Sequence, residues 1–89
     1  MPLNFPNHSR SFEAKSNRVR FWGHDSALEI TFLLEGNALR KLCPAAGPGE
    51  PGMLRAFDDG VERIHAVARK VYEGSRERSD VHVLAEAHF

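Results

Sequence analysis

The sequence of 89 residues has only one cysteine and no excess of either charge. Both features argue against some classes of protein. With Cys43 alone, no disulfide can form within the chain, which is typical of proteins in a reducing compartment. Twelve basic and twelve acidic side chains cancel, and non-specific DNA binding depends on an excess of cations that neutralise phosphates. A chain without net charge also offers little electrostatic resistance to self-association.

Long apolar runs are absent as well. The longest, from Ile30 to Leu34, is interrupted by Thr31, whereas a membrane-spanning helix needs about 20 apolar residues. The opening MPLNFPNHSRSF lacks the apolar segment of a signal peptide. We therefore expect a cytoplasmic protein that is not integral to a membrane. The length predicts one small domain over residues 1–89, too small for a deep internal cavity of its own.

Two neighbouring segments predict the strands of a β-hairpin. From Leu28 to Leu34, apolar residues alternate with others, which is the pattern of a half-buried strand. Val19 and Phe21 alternate in the same way just before. Between the two segments lies GHDS, whose residue types favour a turn. We expect a hairpin whose inner face carries the apolar residues of both strands.

The predicted turn contains His24, Asp25 and Ser26, the residue types of a hydrolytic triad. A triad is assembled in space, because the base must reach the nucleophile while a third group orients the base. Adjacent residues on an extended chain point in different directions. The turn interpretation is therefore preferred over a catalytic one.

A pairing of Trp22 with Ala27 closes this turn as a four-residue loop. In that register Arg20 faces Glu29 on the outer side, as a charge-complementary pair. The same register pairs apolar residues on the inner side, Phe21 with Leu28 and Val19 with Ile30.

The second half of the chain predicts helices. Gly36-Asn37 favours the start of a short helix that Pro44 ends, and PAAGPGEPG then forms an exposed loop. From Met53 to Gly74, apolar residues recur every three or four positions, which predicts an amphipathic helix of about five turns. Gly60 lies inside this helix and marks a bend or a close packing point. We expect the apolar face to pack on the sheet.

Two shorter segments complete the predicted sheet. Leu3 and Phe5 suggest a short edge strand, and VHVLAEAHF suggests a last strand with Val81 and Val83 facing inward. The prediction is an α+β fold in the order β-β-β-α-α-β: an antiparallel sheet of three or four strands, with one short and one long helix packed on one face. The expected core contains Phe21, Leu28, Ile30, Phe32, Phe57, Ile64 and Val71.

Nearly the whole chain resembles a known family. The similarity lies in LNFPNHSRSFEAKSNRVRFWGHDSALEITFLLEGNAL and in LRAFDDGVERIHAVARKVY, followed by a short terminal strand. These segments resemble the family catalogued as domain of unknown function 1488, which consists of small bacterial proteins. The resemblance implies a bacterial cytoplasmic α+β domain. It implies no activity and assigns no catalytic or binding residue.

The remaining chemistry-bearing residues give no site. His82, Glu86 and His88 share a strand face, but about 13 Å separates the first two at ~3.3 Å per residue, and a zinc site needs three or four ligands. Cys43 is interpreted as a small, semi-buried apolar residue. We expect no catalytic residue, no cofactor and no metal.

The outer face of the sheet carries the functional prediction. Trp22 and Leu33 lie on it, and so does Leu84 in the predicted orientation of the last strand. Apolar patches of this kind mark partners, so we predict a small non-enzymatic interaction or regulatory module that forms a homodimer. The alternative is that Phe5 or Phe12 folds over Trp22 within the same chain.

Nucleic-acid binding is the second candidate function. A basic sheet face with an aromatic residue can bind single strands, and the N-terminal segment carries four cations that would make the contact. Glu29 would neutralise part of this surface in the predicted register, and the sequence gives least support to a small enzyme. The four cations are Arg10, Lys15, Arg18 and Arg20.

Overall fold

The computed structural model describes residues 3–5, 9–25, 28–44, 47, 49–74 and 81–89. The predicted α+β class is confirmed, with three helices where two were expected. No helix in the described ranges is both long enough and apolar enough to cross a bilayer. The elements are β1 (Arg10–Glu13), β2 (Arg18–Asp25), β3 (Leu28–Glu35), α1 (Gly36–Leu42), α2 (Gly49–Asp59), α3 (Val61–Gly74), β4 (Val81–Leu84) and a terminal 3-10 turn (Glu86–His88).

The four strands form one sheet in the order β1-β2-β3-β4. β2 is antiparallel to both of its neighbours, β1 and β3, whereas β4 runs parallel to β3. The expected antiparallel sheet is therefore confirmed for β1, β2 and β3, and the parallel pairing of β4 departs from it. Parallel neighbours need a long crossover connection, and the three helices between β3 and β4 supply it.

The hairpin of β2 and β3 forms in a different register from the predicted one. Asp25 pairs with Leu28, and the two residues between them lie outside the described ranges. Arg20 consequently does not face Glu29, which is opposite His24. The pairing is shifted by four residues, an even number, so each side chain keeps its predicted face.

Gly23 explains why the strand continues through the predicted turn. A side chain at this inner position would meet Phe5, because a Cβ atom there would lie 2.9 Å from its Cε1. The N-terminal segment crosses here, and Asn4 and His24 exchange backbone hydrogen bonds of 2.8 and 2.7 Å. Glycine therefore permits a close approach instead of a turn. The described part of this segment, residues 3–5, forms an isolated bridge at Asn4 and no named strand, and β1 begins further along the chain.

All three helices contribute to one core on the inner face of the sheet. Phe57 of α2 packs its ring 5.2 Å from that of Phe21. Two expected core residues differ: Val71 is half-buried, and Leu28 is 59% exposed because it lies at the end of the hairpin. The large side chains with almost no exposure are Leu3, Val19, Phe21, Ile30, Phe32, Leu34, Leu39, Met53, Phe57, Ile64 and Leu84.

The predicted long helix is two helices that meet at Gly60. A Cβ atom on Gly60 would lie 2.9 Å from Leu42 Cδ2 and 3.5 Å from Cys43 Sγ. The end of α1 therefore packs directly on this backbone, as the close-packing interpretation predicted. The first of the two helices begins at Gly49, four residues before the predicted start at Met53.

The inward side of the last strand was predicted wrongly. Val81 and Val83 are 48% and 42% exposed, whereas His82 and Leu84 are buried. The register with β3 sets this orientation, since His82 pairs with Phe32 on the inner face. Both alternating sets of VHVL contain apolar residues, so the pattern alone could not choose between them. The strand ends at Leu84, before the 3-10 turn.

Candidate interaction surface

The outer face of the sheet carries an apolar surface built from three strands. Residues opposite each other in a ladder share a face, and the members of the main core cluster on β2 and β3 all lie on the inner face. Two adjacent rows cross the sheet: Trp22, Thr31 and Val81 form one, and Arg20, Leu33 and Val83 form the other. We call Trp22, Leu33, Val81 and Val83 the outer patch.

Within the outer patch, the side chains of β4 are the most exposed. Leu33 is only 7% exposed, with Arg20 and Val83 opposite it on the two neighbouring strands. Trp22 is half-buried, and both valines are exposed. Because β4 is the last strand of the sheet, the most accessible apolar side chains lie at one edge of the face.

Two of the three predicted interface residues come together here. Trp22 and Leu33 lie on adjacent strands of the outer face, but Leu84 has no exposure and belongs to the core. The prediction that Leu84 is exposed, on which its interface role depended, is therefore wrong. Val81 and Val83 lie on the outer face instead. They would have been predicted there if the pairing of β4 with β3 had been known.

The N-terminal aromatic residues pack on the opposite face from Trp22. Phe5 stacks on His65 of α3 with 3.8 Å between ring centroids, and it lies 6.0 Å from Phe21. Phe12 also packs against the core cluster. The alternative that either ring covers Trp22 is therefore wrong.

An ion-pair cluster borders the outer patch on the side of β1. Glu13 accepts a hydrogen bond of 3.2 Å from Arg18 and forms an ion pair of 2.5 Å with Arg20. Glu13, not Glu29, thus neutralises these cations. Because both guanidinium groups already have a carboxylate partner, this border is mixed in charge instead of basic.

The other two candidate nucleic-acid contacts lie elsewhere. Arg10 extends across the inner side, where it donates two hydrogen bonds of 2.8 and 2.7 Å to the carboxylate of Asp58 on α2. These hydrogen bonds raise the pKa of Arg10 above its ordinary value. Lys15 is exposed in the turn between β1 and β2. The four predicted contacts therefore do not converge on one surface.

The triad-like residues do not assemble a catalytic site. His24 and Asp25 are consecutive residues of β2 and thus face opposite sides of the sheet. Asp25 accepts a hydrogen bond of 2.6 Å from the hydroxyl of Tyr72 on α3, which ties the end of the hairpin to the last helix. Ser26 lies outside the described residues.

The C-terminal histidines and Cys43 do not form a metal site among the described residues. His82 is buried, whereas Glu86 and His88 lie exposed in the terminal turn. Among the residues that the structure describes, no group of three or more histidine, cysteine or acidic side chains is arranged to hold a metal ion. The thiol of Cys43 donates to the carbonyl of Ala56 over 3.6 Å, and this contact joins α1 to α2.

Comparison with known proteins identifies a family. The model of the family DUF1488, described as a protein of unknown function, matches residues 3–84. No curated protein and no solved structure matches the chain.

Proposed function

We propose that this chain, which belongs to the DUF1488 family, is an interaction module that forms a two-fold homodimer through its outer patch. The observation that carries the proposal is the asymmetry of the sheet. All three helices contribute buried residues to the inner core, while Trp22, Val81 and Val83 remain accessible on the outer face. Single exposed apolar residues are ordinary on a protein surface, but a contiguous group is typical of interfaces.

The charges around the outer patch favour a second copy as the occupant. In a two-fold contact the same surface meets itself, so a border of one sign would repel its copy. Here Glu13, Glu29 and Glu35 share the outer face with Arg18 and Arg20. A two-fold axis can therefore bring carboxylates of one copy near guanidinium groups of the other. The net charge of zero adds no long-range repulsion.

Sedimentation equilibrium of a matched pair of variants tests the proposal. Val83→Asp places a carboxylate inside the outer patch, whereas Leu28→Asp makes a comparable change at an apolar residue that is 59% exposed and lies off the patch. We expect a dimer for the wild type and for Leu28→Asp. Val83→Asp should weaken dimerisation on the order of 100-fold, or about 2.7 kcal/mol, because the contact buries two like charges.

The only tryptophan of the chain gives an independent measurement. Trp22 is half-buried in the monomer, so dimerisation should remove its ring from water and shift its emission to shorter wavelengths as protein concentration rises. Val83→Asp should lack this shift. A wild-type protein that stays monomeric at high micromolar concentration, or a Val83→Asp protein that dimerises normally, would overturn the proposal.

Nucleic-acid binding remains the alternative, and the ion pairs weigh against it. Arg18 and Arg20 would have to exchange Glu13 for phosphate, and Arg10 would have to leave Asp58. Fluorescence anisotropy with a labelled single-stranded oligonucleotide at low and moderate salt separates the two functions. Salt-dependent binding that is lost in Arg18→Gln would favour nucleic acid over self-association.

A further inference from the structure

An open cleft of about 510 Å³ lies between α3 and the C-terminal segment. This volume falls within the range of small-molecule sites, roughly 300–1,000 Å³. The cleft is separate from the outer patch, since His82 belongs to the inner face of β4. Its lining includes Val67, Lys70, Val71, Gly74, His82 and His88.

His82 supplies a buried polar atom without a partner. The residue is 8% exposed, and its ring lies 5.7 Å from that of Phe32 and 5.5 Å, edge-on, from that of Tyr72. The Nε2 atom is buried and makes no hydrogen bond to any of the described residues. Buried polar groups in folded proteins nearly always have a partner, and a group bound in the adjoining cleft would supply one here.

The other polar side chains known to line the cleft, among the described residues, can donate hydrogen bonds. Lys70 carries three N–H groups and no acceptor. His88 accepts the backbone N–H of Ala85 at Nδ1 over 2.9 Å, so the neutral ring carries its proton on Nε2 and can donate from there. An occupant must therefore accept hydrogen bonds, and the ammonium group favours an occupant with negative charge.

Two valines of the cleft indicate that the occupant also has an apolar part. Val67 and Val71 are one turn apart on α3 and give the cleft an apolar wall. A free inorganic anion would leave this wall unused. We propose that the cleft binds a small organic anion, a carboxylate on a short hydrocarbon chain. The carboxylate accepts hydrogen bonds from Lys70, from His88 and from His82 in the tautomer that carries its proton on Nε2, while the hydrocarbon chain contacts the two valines.

Nuclear magnetic resonance titration with butyrate tests this proposal on the intact chain. Inorganic phosphate and 1-butanol serve as the charge-only and chain-only probes, at constant ionic strength. Butyrate should produce saturable shifts of the His82 ring and of the amide groups of Lys70 and Val71, with millimolar affinity. Phosphate and butanol should each bind at least tenfold more weakly.

A matched pair of variants on α3 separates the site from general charge effects. Lys70 and Arg63 are both exposed cations of this helix, but only Lys70 lines the cleft. Lys70→Gln should weaken butyrate binding at least fivefold, whereas Arg63→Gln should leave it unchanged. Absence of saturable shifts, equal shifts with phosphate, or full affinity in Lys70→Gln would overturn the proposal. None of these outcomes depends on whether the protein dimerises.

Discussion

The two faces of the sheet are built from the same strands but differ in how far their apolar side chains are buried. On the inner face, Phe21 and Phe32 stack at 5.2 Å and are covered by helices, so their exposure is near zero. On the outer face, the apolar residues are fewer, and Val81 and Val83 keep more than two fifths of their surface accessible. The inner face completes its packing within one chain, and the outer face does not.

This difference shows how a small chain divides its apolar residues. A domain of this size buries only roughly 60–65% of the surface of its unfolded chain, and here the helical contribution to the core goes to one face of the sheet. The three helices follow one another between β3 and β4 and contribute to a single core. The second face is therefore where an interface can form without any change in the fold.

The largest expected effect comes from a substitution at the inner face. Phe57 is 1% exposed and contacts the ring of Phe21. Phe57→Ala should lower the free energy of unfolding by about 3–5 kcal/mol, which is a large part of the stability of a small domain. Urea denaturation followed by circular dichroism measures the change. A loss below about 1 kcal/mol would mean that the aromatic core does not hold α2 on the sheet.

A pair of neighbouring residues on β4 compares the two faces directly. Leu84 has no exposure, whereas Val83 is 42% exposed. Leu84→Ala should cost about 2–5 kcal/mol of unfolding free energy, and Val83→Ala, measured at a protein concentration where the chain is monomeric, about 0.5 kcal/mol or less. Equal losses in the two variants would show that β4 does not have the orientation described here.

The sequence predicted the faces better than the pairings. Alternation in β2 and β3 places side chains on a face whatever the register, provided that the shift is even. The register itself depended on Gly23. Glycine is common in turns, so the sequence suggested a turn there, whereas the residue allows Phe5 to pack closely on the strand. That contact comes from a segment 18 residues earlier in the chain, and no local pattern contains it.

The helix break and the orientation of β4 were likewise not predictable from local patterns. The apolar period predicted the helical face from Met53 to Gly74, but the break at Gly60 depends on Leu42 packing against it. The orientation of β4 depends on its parallel pairing with β3. Of the candidate interface, Trp22 and Leu33 were predictable because they belong to the well-patterned hairpin.

A smaller effect is expected at the border of the outer patch. Glu13 is the carboxylate partner of both Arg18 and Arg20. Glu13→Gln should cost about 0.5–1 kcal/mol of unfolding free energy, as expected for partly exposed ion pairs. It should also leave two cations unpaired on the outer face and strengthen retention on heparin in low salt. Unchanged retention would show that these guanidinium groups are not neutralised by Glu13.

A small effect is also expected for the ion pair at the margin of the inner face. Arg10 and Asp58 retain 31% and 52% of their side-chain exposure, so solvent screens the attraction, and Arg10→Gln should cost about 0.2–1 kcal/mol of unfolding free energy. The hydrogen bonds to Asp58 raise the pKa of Arg10. A raised pKa stabilises the fold at every pH below the unfolded value and is lost only as pH rises through the folded one. The difference between wild type and variant should therefore stay constant from about pH 6 to pH 9, far below the pKa of arginine. A difference that falls over this range in urea denaturation would show that a group other than Arg10 controls the contact between β1 and α2.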